Sequence, residues 1–313
     1  MLAYLRLLRF ANIFTVIADV TAAFLVAHGS LQPWPGFVGL LVASGLLYSA
    51  GMVLNDLFDI EQDRLERPSR PIPSGAVSER AARVLGWSLL IAGVIVAVAV
   101  GQLWGQSEGN LRWRTMAAAV LLAVTIVGYD RWLKRTNFGP VAMGACRTLN
   151  ILMAASLTQV DFWWEFSPAV WAIAIGMGTY IAGVTWFART EAKLSARPGL
   201  IGGAIVMGLG FAILGSAVFI DPQWQVDLGA RNPWFWPGLL ALVAATVLRR
   251  CVMAIVEPAP QTVQLAVKQA ILTLIVIDAS ICLFAQPSRI HYALFVLTLL
   301  APTLWLGRWI RST

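Results

Sequence analysis

Charge is scarce in this sequence: Asp, Glu, Lys and Arg make up 12% of its 313 residues, against 58% hydrophobic ones. Soluble domains carry about 25% charged residues. With a mean hydropathy of +0.73, the composition excludes an ordinary soluble protein and implies an integral membrane protein. Histidine occurs twice, at His28 and His291, both near the ends of apolar runs. A histidine-built zinc site or catalytic triad is therefore unsupported. The three cysteines, Cys146, Cys251 and Cys282, fall inside apolar runs without pairing or metal-like spacing. They read as small buried hydrophobes. Acids number 16 against 23 Lys and Arg, and no nucleic-acid module is legible to explain the surplus of base.

What fills the sequence is apolar helix. Ten runs are candidate membrane spans: Leu7 to His28, Gly36 to Asn55, Arg80 to Leu103, Arg114 to Tyr129, Phe138 to Leu157, Pro168 to Phe187, Leu200 to Ile220, Trp234 to Val256, Val267 to Ala285 and Tyr292 to Leu306. The first follows Arg6 and Arg9 as a signal peptide would, but it is too long for one. Starting from a cytoplasmic N-terminus, one membrane face receives all but five of the Lys and Arg residues. Arg112, Arg114, Arg231 and Arg289 lie on the other face and Arg147 lies within a span. The excess predicts which side is cytoplasmic and accounts for the net charge of +7 through topology and anionic headgroups. On the opposite side, residues 161–166 and Trp34, Trp224, Trp234 and Trp236 read as an aromatic belt. Gly202, Gly203, Gly208 and Gly210 suit close helix packing in lipid.

The few acids are not spread evenly. Leu54 to Gly75 reads LNDLFDIEQDRLERPSRPIPSG, directly after the second span. If the helix continues at about 100° per residue, Asn55, Asp59 and Asp63 share an arc of roughly 80° with Asp56 just beyond. One face then carries four oxygen ligands. Mg²⁺ takes such ligands, one or two carboxylates together with substrate phosphates. The plainer alternative is a solvated helix end whose acids pair with Arg64, Arg67 and Arg70. Pro68, Pro71 and Pro73 stop any helix and are expected to fix an extended segment over this cluster.

Two further stretches carry polar residues where lipid-soluble ones are the rule. Tyr129 to Arg135 reads YDRWLKR and lies on the same side as Asp59. Its cations serve either as a membrane-surface anchor or as partners for a phosphate group. Arg147 lies about eight residues into an apolar span, with Asn150 one turn on, and should face a cavity. Asn12 and Asp19 share a face of the first span, and Asp278 lies deep in a later one, in need of a partner.

The Asn/Asp run resembles, without a gap, the NDxxDxxxD signature of the UbiA superfamily of intramembrane prenyltransferases. Asn55-Asp56, Asp59 and Asp63 match it, and Arg70-Pro71-Ile72-Pro73-Ser74-Gly75 looks like the tail found in its chlorophyll synthase and geranylgeranylglyceryl phosphate branches. Tyr129 with Lys134 and Arg135, then Gly144-x-x-Arg147-x-x-Asn150, resemble a second recurring stretch. Arg9 and Asn12 resemble an Arg-x-x-Asn start to the first helix. The resemblance covers roughly residues 5 to 200.

It implies one domain over residues 1–313, an all-α polytopic bundle of nine to ten helices around a central cavity open to the cytoplasmic side of the inner (plasma) membrane. It implies Mg²⁺-dependent transfer from an isoprenyl diphosphate to a lipophilic or aromatic acceptor. Asn55, Asp56, Asp59 and Asp63 would be metal ligands, with Asp56, Asp59 and Asp63 at the centre of catalysis. Arg70, Lys134, Arg135 and Arg147 would contact phosphate, and Asn12, Tyr129 and Asn150 would line the substrate site. The sequence departs from the family at its second aspartate motif. Residues 188–195 read ARTEAKLS, leaving Glu191 as the carboxylate for a second cation. Either one Mg²⁺ suffices, or Arg189 and Lys193 replace part of its charge, or the chemistry is altered. A prenyl-lipid binding or transport protein without turnover is the alternative. A CDP-alcohol phosphotransferase is disfavoured, because its Asp-Gly-x-x-Ala-Arg opening is missing.

Overall fold

Prolines and small polar residues set the helix starts. Ser78 accepts a hydrogen bond from Ala81 N at 3.2 Å, and Ser167 accepts one from Val170 N at 3.3 Å, each satisfying an orphan amide of a first turn. Pro35, Pro140, Pro168, Pro198 and Pro260 occupy first-turn positions, where a missing N–H costs nothing.

The computed structural model describes residues 1–105, 112–158, 165–191, 194–221, 232–286 and 289–309, and every regular element among them is helical. The α-helices are α1 (Leu2–Leu7), α2 (Ile13–His28), α3 (Trp34–Phe58), α4 (Ile60–Glu66), α5 (Glu79–Trp104), α6 (Trp113–Arg131), α7 (Gly139–Ala154), α8 (Pro168–Phe187), α9 (Arg197–Ile220), α10 (Phe235–Val256), α11 (Pro260–Ala285), α12 (His291–Thr298) and α13 (Leu300–Trp309). Leaving out the short α4, each helix from α2 to α11 packs on the next, and α11 returns to α2. The described chain thus closes a ring of nine helices. Helix α12 packs on α11, while α13 reaches back to the 3-10 turn Phe10–Asn12.

Among the described residues eight helices are long and apolar enough to cross a membrane. Their outward faces are apolar too: Val84, Ile91 and Ile95 on α5, and Leu242, Val252 and Val256 on α10, are exposed. In water such faces would aggregate; against lipid tails they are at home. The expected span at Phe138 to Leu157 is the shorter α7, of 16 residues. The expected span at Tyr292 to Leu306 is two helices instead, because Pro302 lacks an N–H and its ring excludes a continuous turn past Thr298. Trp34 and Trp234 are exposed as an interfacial belt requires. Trp236 is not: it is fully buried and donates Nε1–H to Leu214 O at 2.8 Å. Residues 161–164, Trp224, Arg231 and Lys193 lie outside the described residues.

Helices α8 and α9 approach through glycine. A Cβ on Gly210 would stand 2.6 Å from Tyr180 N, on Gly203 2.8 Å from Phe187 N, and on Gly183 2.5 Å from Met207 N. Gly208, also expected at the contact, faces open space. Gly210→Val is therefore expected to destabilise by about 1–3 kcal/mol through overpacking. Gly208→Val should cost less, and melting curves of the two variants in detergent check the contrast.

Candidate functional site

The Asn/Asp run does not continue as one straight helix. The chain bends at Asp59 (φ −95°, ψ 6°), which ends α3 and starts α4. Backbone hydrogen bonds from Asp59 N to Asn55 O (3.1 Å) and from Asp63 N to Asp59 O (2.8 Å) still cross the bend. The four oxygen-bearing side chains therefore stay together, but they turn to different cations.

Arg70 joins two of them: its Nη1 donates to Asp63 Oδ2 at 2.6 Å and to Asp56 Oδ1 at 3.3 Å. Arg9 Nη2 donates to Asp56 Oδ1 at 3.2 Å, and Asn55 Nδ2 donates to the same oxygen at 3.4 Å. Lys134 serves the third aspartate, with Nζ 2.8 Å from Asp59 Oδ2, and also donates to Asn55 Oδ1 at 3.1 Å. Arg135 Nη2 lies 3.5 Å from Asp59 Oδ1. The acid-rich end of α3 and the base-rich end of α6 thus meet in one ion network. Burial pushes the Asp63 carboxyl above its ordinary value, and the ion pair with Arg70 works against that shift.

The proline-rich tail is a chain of turns rather than the extended segment expected. Ser74 N donates to Arg70 O, Gly75 N to Ile72 O and Val77 N to Pro71 O, at 2.9–3.0 Å. Proline presets φ for turn positions, Gly75 takes a φ of 75°, and Ile72 and Val77 bury as anchors. This compact loop holds Arg70 over the aspartates.

Two residues beside the aspartates were not among the site residues expected from the sequence. Arg9 enters the site through a left-handed backbone (φ 46°, ψ 47°), a conformation that costs a non-glycine residue about 1 kcal/mol or more. The signal was the arginine three residues before Asn12. Asp130, one turn before Lys134 on α6, is buried and faces the charges of Lys134, Asp59, Arg9 and Asp56. The signal was an acid at i and a lysine at i+4.

The other expected residues divide. Tyr129 lies within the fields of Asp130, Arg9 and Asp59. Asn12 lies beside the Tyr48 hydroxyl. Burial raises the Glu191 carboxyl, while the charges of Arg67 and then Arg9 oppose this, which sets Glu191 near the Arg9 side of the network. Arg147 and Asn150 belong elsewhere: Arg147 pairs with Asp19, which sits against Asp278, and Asn150 accepts from Ser44 Oγ. Asp278 thereby gains the partner its sequence position demanded. Arg189 donates to Thr136 O at 2.8 Å and Asn137 Oδ1 at 3.2 Å, so it ties two loops together instead of facing the aspartates.

Among the described residues no three Asp, Glu, His or Cys side chains form a ready metal cage. The donor set still suits a hard cation, being all oxygen, from Asn55, Asp56, Asp59 and Asp63. Mg²⁺ needs only one or two of these when phosphate oxygens and water complete its octahedron.

Known proteins resemble this chain in sequence and in fold. The profile of the UbiA prenyltransferase family matches residues 16–252. Digeranylgeranylglyceryl phosphate synthase of Methanopyrus kandleri is 29% identical over 256 residues, covering 79% of this chain and 86% of that protein. The synthase of Saccharolobus solfataricus is 26% identical over 162 residues, 51% of this chain and 54% of its own length. The match to this and several other relatives therefore spans about half of their length. A solved structure concerning digeranylgeranylglyceryl phosphate synthase superposes with a TM-score of 0.62 at 19% identity, covering 92% of this chain and 98% of that one. A UbiA homologue from Archaeoglobus fulgidus, bound to DMAPP and Mg²⁺, gives 0.53 at 16% identity over 94% and 99% of the two chains.

Proposed function

The chain belongs to the UbiA prenyltransferase family, and from that premise we propose that it transfers an isoprenyl group from an isoprenyl diphosphate to a lipophilic acceptor within the membrane, with Mg²⁺. The observation that carries this reading is the ion network of Asn55, Asp56, Asp59 and Asp63 with Arg9, Arg70, Lys134 and Arg135, at one end of a largely apolar ring. Asn55, Asp56, Asp59 and Asp63 would hold Mg²⁺, which when bound polarises phosphate oxygens and offsets charge on the leaving diphosphate.

The rest is work for the chain's own side chains. Arg70 and Lys134 neutralise the aspartates while no diphosphate is bound. On its arrival their N–H donors turn to phosphate oxygens, stabilising the charge that grows as the allylic C–O bond breaks. Tyr129 and Asn12 line the approach to that bond. The apolar inner faces of the helices take the prenyl tail and keep water from the allylic cation. The Lys and Arg asymmetry supports a site facing the cytoplasm, which places the protein in the plasma membrane in this reading, and the ring of successively packed helices supports a single domain over residues 1–313. The names of the relatives favour a glycerophosphate lipid as acceptor over an aromatic ring or a tetrapyrrole acid.

The test incubates the purified protein with Mg²⁺, prenyl diphosphates of several lengths and geranylgeranylglyceryl phosphate. Diphosphate release and a prenylated lipid are expected, both abolished by EDTA. Tight Mg²⁺-dependent binding with no release at any chain length would make this a binding or transport protein instead.

A further inference from the structure

The loop after α8 leaves a second cation with one carboxylate, Glu191, where the charges nearby are those of Arg67 and Arg9. Across the network, on the last turn of α6, Asp130 presents the opposite situation. Its side chain belongs to a residue only 3% exposed, and its Oδ2 has no hydrogen-bond partner. Asp56, Asp59 and Asp63 each have an ion pair with Arg or Lys, whereas none is found for Asp130 among the described residues. Lys134, one turn on, already spends its ammonium on Asp59 and Asn55.

A buried carboxylate without a paired cation is strongly unfavourable, yet this one sits among groups that assemble around a charged ligand. We propose that Asp130 is a ligand of a second divalent cation, shared with Asp59 and with the diphosphate, and so supplies from α6 the carboxylate missing from the loop after α8. Two carboxylates and phosphate oxygens are a sufficient set for Mg²⁺. The chain thereby keeps two cations on a diphosphate although its second acidic stretch is reduced to Glu191. This inference rests on the diphosphate reading above.

The test counts Mn²⁺ bound to the full-length protein in detergent by electron paramagnetic resonance, with inorganic pyrophosphate as the probe. The wild type is expected to take up two Mn²⁺ per chain when pyrophosphate is present, as are E191Q and D130E. In D130N, which keeps the side-chain shape, the second Mn²⁺ should bind more than about 100-fold more weakly, beyond what loss of an outer-shell partner does. Two tightly bound Mn²⁺ in D130N, or one in the wild type, overturn the inference and leave the diphosphate reading standing. A wild type whose Mn²⁺ binding ignores pyrophosphate overturns the diphosphate reading itself. Gel filtration of D130N checks that it is folded, and restoration by D130E separates a ligand from a packing role.

Discussion

Asp59→Asn and Asp63→Asn are each expected to lower kcat/KM for a prenyl diphosphate by about 10²–10³-fold, the size seen when one preorganised electrostatic contact to a developing charge is removed. The two substitutions act through different partners. Asn at 59 leaves Lys134 and Arg135 without their anion, so both rate and Mg²⁺ affinity should fall. Asn at 63 removes the charged partner of Arg70's contact at 2.6 Å and leaves its contact with Asp56 in place. Both variants keep the side-chain volume, and gel filtration in detergent checks that they are folded before rates are compared. Steady-state kinetics decide the matter: unchanged diphosphate release in both variants would remove this cluster from the reaction.

The second large effect concerns stability. Arg147→Ala leaves Asp19 and Asp278, each 1% exposed, facing each other without a cation. Breaking a buried pair by deleting one partner costs about 3–5 kcal/mol. For a chain this size that corresponds to a melting temperature lower by roughly 5–8 °C. Helices α2, α7 and α11 meet at this triad, so the loss should loosen the seam where the ring closes. A triple variant, Asp19→Asn with Asp278→Asn and Arg147→Met, removes every charge at once and should recover most of the stability. Arg147→Ala melting like the wild type would mean that water reaches these groups.

The acidic cluster was legible because its parts are adjacent in sequence. Asn55, Asp56, Asp59 and Asp63 lie within nine residues, Arg70 follows one loop later, and a scarcity of other acids made them stand out. Membrane spans were legible for a similar reason, since a run of apolar residues needs no distant partner to announce itself. The bend at Asp59 and the break before Pro302 were harder. In the first case the backbone hydrogen bonds continue and only the dihedral angles change; in the second an apolar pattern ran on through a proline. Trp236 shows the limit of the aromatic signal: an indole near a helix start suits an interface or a core equally, and only the carbonyl of Leu214 decides.

The chain's own residues determined that it lives in lipid, that its acids gather after the second span, and that the oxygen ligands a hard cation would take are collected there. Apolar length, charge placement and local spacing are sufficient physics for those conclusions. Tertiary structure decided which cation each aspartate faces, that Arg9 and Asp130 join the site, and that Arg147 leaves it for Asp19 and Asp278. Apart from those of Arg70 with Asp56 and Asp63, these ion pairs connect residues 47 or more positions apart. They follow from the closure of the helix ring, a property of all the packed faces at once that no single stretch contains.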